Sequence, residues 1–73
     1  MKILIVNPNS SLLMTAEIRK TAEDFLRGES DVVCEPTTGA PNFIETYEDI
    51  TLAAPGMIQL VSDNDAEYDA FIA

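Results

Sequence analysis

Apolar residues fall into five groups along the chain, and the groups follow two different periods. Residues 2–6, Lys-Ile-Leu-Ile-Val, form a dense aliphatic run. Such a run suits a strand buried on both faces, as in a parallel sheet. Asn7-Pro8-Asn9-Ser10-Ser11 follows, where Pro8 and its polar neighbours end the strand in a turn. Over 12–27 the period changes. Met14, Ile18, Ala22, Phe25 and Leu26 lie at i, i+4, i+8, i+11 and i+12, a single stripe on a helix. Arg19 with Glu23, and Glu23 with Arg27, are spaced to pair on its polar face. Ser10 or Ser11 is placed to cap the start and Gly28 the end.

Residues 31–36, "DVVCEP", read as a second strand with Val32, Val33 and Cys34 at its core and Pro36 as its stop. Residues 37–46, "TTGAPNFIET", form a loop that is long for such a connection, and long ordered loops often border a site. Thr46-x-x-Asp49 is a capping-box variant before a second helix, whose apolar side is Leu52, Ala53, Met57, Leu60 and Val61. Pro55-Gly56 interrupts it, which predicts a kink or two short helices meeting near Ala54. Asn64 is placed to take a left-handed cap. Asp69-Ala70-Phe71-Ile72-Ala73 is the start of a third buried strand. The order β-α-β-α-β predicts an α/β fold with a parallel sheet. It amounts to part of a doubly wound domain.

Length and charge narrow the function. Seventy-three residues make one domain at most, and a domain of this size buries only about 60% of the surface its unfolded chain exposes. Four Lys/Arg against thirteen Asp/Glu give a net charge of −9. A nucleic-acid backbone or an anionic membrane would be repelled. No run approaches the ~18 apolar residues of a membrane span, and "MKILIV" is too short for a signal sequence, so the cytoplasm is the default compartment. Cys34 is the one cysteine and there is no histidine. An internal disulfide is excluded, a metal site is not expected, and Cys34 reads as a small buried hydrophobe.

In open α/β sheets ligands bind outside the carboxyl ends of the strands. The first strand delivers Asn7, Asn9, Ser10 and Ser11 to that edge, and the second delivers Thr37, Thr38 and Gly39. Amides, hydroxyls and free N–H groups at a helix start suit a small carboxylate or imide. The same residues also serve as ordinary turn and cap chemistry. A P-loop or a dinucleotide fingerprint needs glycine patterns that are absent, and a receiver domain would be expected to carry acids after its first strand and an Asp after its third.

Two segments carry a more specific signal: "ILIVNPNSS" followed by Met14-Thr15, and "PTTGAPNFIETYEDITLAAPGMIQLV" at 36–61. They resemble the aspartate/glutamate/hydantoin racemase family, and within it the hydantoin and allantoin racemase branch. The resemblance implies two similar α/β lobes around a cleft, no cofactor, and a small-molecule substrate of hydantoin or amino-acid type. It also implies two cysteines, one from each lobe, that exchange a proton at the substrate's α-carbon. The first of these is expected directly after Ala73. The chain is thus expected to be an incomplete N-terminal lobe, flavodoxin-like, inactive alone, and belonging to an enzyme that forms homo-oligomers. Asn7 matches the family's substrate-binding asparagine. Asn9, Ser10 and Ser11 share its loop, and Thr38 and Gly39 are more distant candidates. An isomerase or decarboxylase of small dicarboxylates from the same superfamily, or a short non-catalytic binding module, remain alternatives.

Overall fold

The structure is a computed structural model that describes residues 1–73. Its elements are β1 (Lys2–Asn7), α1 (Leu12–Leu26), β2 (Asp31–Pro36), α2 (Tyr47–Asn64) and β3 (Ala70–Ile72). The sheet has the order β2-β1-β3, with both pairings parallel. This is the expected β-α-β-α-β arrangement. The chain leaves β1 for one side of the sheet and returns from β2 to the other, so the carboxyl end of β1 is the topological switch point.

The register sorts the aliphatic run of β1 onto two faces. Ile5 lies opposite Cys34 on one side and Ile72 on the other. Ile3, Ile5 and Ile72 share a groove with the α1 stripe Met14, Ile18, Ala22, Phe25 and Leu26. The alternating residues Leu4 and Val6 face the other way and are the best-buried apolar side chains of the sheet. Ala53 of α2 is buried as well. The stripe predicted for α1 therefore faces the sheet, although Phe25 is largely exposed at the groove's edge.

Several local expectations shift. Ser11, not Ser10, caps α1: its Oγ accepts from the N–H of Met14 at 3.2 Å. The helix stops at Leu26, and the left-handed turn begins at Arg27 (φ 49°) and continues through Gly28 (φ 80°). Arg27 has thereby left the helical surface. Arg19 and Glu23 pair at 2.8 Å, whereas no Glu23–Arg27 pair forms. The capping box of α2 is present in full, with Thr46 Oγ1 accepting from the Asp49 N–H and Asp49 Oδ2 accepting from the Thr46 N–H. Helix α2 is one element through Pro55, not two meeting near Ala54. A proline removes a single N–H from the ladder, and the turns on either side keep theirs. Asn64 stays helical and donates its side-chain amide to the Leu60 carbonyl at 2.8 Å, so the left-handed cap expected there is absent.

The third strand is shorter than the predicted 69–73. Asp69 clasps its start to β1: its N–H donates to the Lys2 carbonyl at 2.8 Å, and its carboxylate accepts from the Lys2 N–H at 2.7 Å. The Lys2 ammonium lies 4.8 Å from the Tyr68 ring centre, within cation–π range. The other edge of β3 has no strand beside it.

Candidate functional site

Nine residues are buried, and four of them are polar: Asn7, Asn9, Thr15 and Thr37. All four meet at the carboxyl end of β1. Burying polar groups is unfavourable unless each finds a partner, and here every buried side-chain N or O atom has one.

The cluster starts from the turn after β1. The Asn7 side-chain amide donates to Asn9 Oδ1 at 2.8 Å and to Thr15 Oγ1 at 3.0 Å. The Asn9 N–H approaches Asn7 Oδ1 at 3.4 Å. Asn9 Oδ1 also accepts from the Ser11 N–H at 2.9 Å. Thr15 is four residues past the cap and donates its hydroxyl to the Ser11 carbonyl at 2.8 Å. From the end of β2, Thr37 donates its hydroxyl to the Asn7 carbonyl at 2.8 Å and its N–H to the Asn9 carbonyl at 3.0 Å. Two strands and one helix thus fix a single turn.

A cavity of about 650 Å³ opens beside this turn, lined by Asn7, Pro8, Asn9, Met14, Phe43, Ile44, Glu45, Ile50 and Met57. Its size and its mix of apolar walls with a few polar groups suit a small organic ligand. Glu45 is its one ionisable lining residue, and no Lys or Arg reaches it. A ligand here would be held by amide dipoles rather than by a fixed cation. The groove between α1 and the sheet is of similar volume, about 670 Å³, but it is almost wholly apolar and none of the four buried polar residues lines it.

The predicted site residues divide into three sets. Asn7 and Asn9 line the cavity. Ser10 and Ser11 hold the turn: the Ser10 hydroxyl bonds Asn42 Oδ1 at 3.0 Å, its N–H donates to the Pro41 carbonyl at 3.1 Å, and Ser11 caps α1. Thr38 and Gly39 lie outside the cavity and are exposed. Gly39 takes a positive φ of 86° in the turn closed by the Ala40 N–H and the Thr37 carbonyl, a conformation glycine adopts without strain. The 37–46 loop does border the cavity, but through Phe43, Ile44 and Glu45. Sequence reasoning placed Thr37 at the strand-end edge but passed over Thr15 and Met14 as site components. Thr15 was legible as a polar residue next to the apolar helical stripe.

Cys34 is buried in β2. Burial first, and then the Glu35 carboxylate, pushes its pKa up, with Arg19 acting in the opposite direction. At neutral pH it is a thiol, as its reading as a core residue requires. No three His, Cys, Asp or Glu side chains converge as metal ligands, and no helix is long and apolar enough to cross a membrane.

A family model described as Asp/Glu/Hydantoin racemase matches residues 3–73. Over 73 residues the chain is 36% identical to a hydantoin racemase of Pseudomonas sp. (strain NS671), covering 99% of this chain and 29% of that protein. The chain thus spans less than a third of the length of the curated relative it matches. No solved structure matches.

Proposed function

Because the chain belongs to the Asp/Glu/hydantoin racemase family, we propose that it is the first part of one lobe of a cofactor-independent racemase that inverts a carbon acid, a 5-substituted hydantoin or a related cyclic ureide. The observation that carries this reading is the family match over residues 3–73, joined to 36% identity with a hydantoin racemase. The buried amide cluster beside the cavity supports it. A carbon acid becomes enolate-like when its proton leaves, and positioned donors stabilise the charge that gathers on oxygen.

In the proposed reaction one thiolate takes the α-proton, so the C–H bond breaks and an S–H bond forms. The electron pair moves onto the adjacent carbonyl oxygen. A second thiol, on the opposite face, then gives its proton to the carbon and is left as thiolate. Two bases on two faces account for inversion, because a single base would tend to return its proton to the face it came from. Neither thiol is Cys34, whose burial in β2 and raised pKa suit a core residue. Both are therefore assigned to residues outside these 73.

Polarimetry tests the assignment. The intact protein should drive the optical rotation of one enantiomer of a 5-substituted hydantoin to zero, and the 73-residue chain alone should leave it at the buffer rate. Turnover by the 73-residue chain that vanished on Cys34→Ala would overturn the exclusion of Cys34.

A further inference from the structure

The hydrogen-bond directions around the β1 turn distinguish the two asparagines. The Thr15 hydroxyl donates its one proton to the Ser11 carbonyl, so toward Asn7 it can only accept. Asn9 Oδ1 accepts from the Ser11 N–H, so that atom is an oxygen. The Asn7 group facing both of them must then be its NH₂, and its two protons are both taken, at 3.0 and 2.8 Å. The Asn9 NH₂ points elsewhere. Its one partner is the Met14 sulfur at 3.4 Å, and a thioether is a weak acceptor. Asn9 is 6% exposed, and it lines the cavity together with Met14.

We propose that Asn9, through its side-chain NH₂, is the donor that meets the substrate oxygen on which negative charge develops, and that Asn7 is a positioning residue acting through Asn9. This rests on the racemase reading for its reaction, although the assignment of the donor comes from the chain's own hydrogen bonds. Asn9 Oδ1 receives two hydrogen bonds, which polarises the carboxamide and makes its N–H groups stronger donors. Met14 Sδ holds the amide in place and yields it to a better acceptor. A substrate oxygen displaces a weak contact at Asn9, whereas at Asn7 it would have to break two good ones.

Asn9→Asp removes the donor while keeping the oxygen that accepts from Asn7 and Ser11; it also sets a negative charge where the NH₂ stood. In the intact protein Asn9→Asp should lower kcat by at least about 10²–10³-fold, the usual loss for one oxyanion donor, with a smaller fall in melting temperature than Asn7→Asp causes, because its carboxylate keeps two donors. Asn7→Asp should instead lower the melting temperature, since it sets a carboxylate against Asn9 Oδ1. An Asn9→Asp variant with wild-type kcat overturns the proposal. A second measurement covers a variant that fails to fold or a wild type that fails to racemise. Side-chain amide NMR signals of the wild-type protein are followed while a 5-substituted hydantoin is titrated in. Movement of the Asn9 pair with the Asn7 pair unmoved supports the proposal, and the reverse, or no movement of the Asn9 pair, sinks it. A wild type that binds in this way without racemising removes the proposed reaction and leaves the donor assignment standing.

Discussion

At the scale of single residues, one glycine decides how closely α2 can approach the site. A Cβ on Gly56 would stand 2.7 Å from Thr37 Cγ2 and 2.8 Å from the Thr38 carbonyl oxygen. Alanine would gain about 1 kcal/mol of helix propensity. The clash outweighs that gain, because one of the two contacts is backbone and cannot rotate away. Gly56→Ala should destabilise the intact protein by about 1–3 kcal/mol, as overpacking typically does, in urea unfolding, and an unchanged or raised midpoint would show that α2 can slide outward freely. Cys34 gives a second residue-scale expectation. Its raised pKa and burial should leave it unreactive toward a thiol reagent near neutral pH until denaturant is added. Legibility was uneven at this scale. The sequence placed Asn7, Asn9 and Ser11 at the strand end, since Asn-Pro-Asn-Ser-Ser can hardly do anything but turn. It could not say which amide would be left with only a weak acceptor, because that depends on Thr15, which reaches the turn from 8 residues away.

Elements were legible wherever the signal was local. The α1 stripe, the Thr46–Asp49 box and the aliphatic run of β1 are all encoded within a few residues, and each is found where the pattern put it. Of the two outcomes expected of Pro55, a kink or two short helices, the second does not occur, because a breaker acts on one turn while α2 is 18 residues long. The capping box also makes α2 sensitive to acid. The Asp49 pKa is held below the ordinary Asp value, first by the hydrogen bond from the Glu45 N–H and then by those from Thr46. A depressed folded pKa contributes stability above the unfolded value of about 3.9, and that contribution is lost as pH falls through the folded value. Thr46→Ala should cost about 1 kcal/mol near neutral pH. The stability gap between wild type and Asp49→Ala should narrow as the medium is taken below about pH 3.9. A gap that stayed constant down to strong acid would show that the carboxylate charge plays no part in the cap.

Across the whole molecule, apolar surface is plentiful. Phe25, Phe43, Tyr47, Ile50 and Ile58 are exposed, only nine residues are buried, and the outer edge of β3 has no partner strand. An open strand edge beside an apolar groove is a template for another chain. The 73-residue chain by itself is therefore expected to self-associate or fold only partly at low micromolar concentration, against the repulsion of its −9 charge. Sedimentation with circular dichroism on the same sample checks this, and a compact, cooperatively melting monomer would contradict it. The reaction proposed for the intact protein is inversion by two bases on opposite faces, with charge gathered on an oxygen held by the β1 turn. Its most direct test is turnover of a single hydantoin enantiomer in D₂O, followed by NMR at the stereocentre. Two-base inversion predicts that the inverted product carries solvent deuterium from its first appearance, while the remaining substrate keeps its proton. Inverted product that retains the original proton, or no inversion beyond the uncatalysed rate, would contradict it.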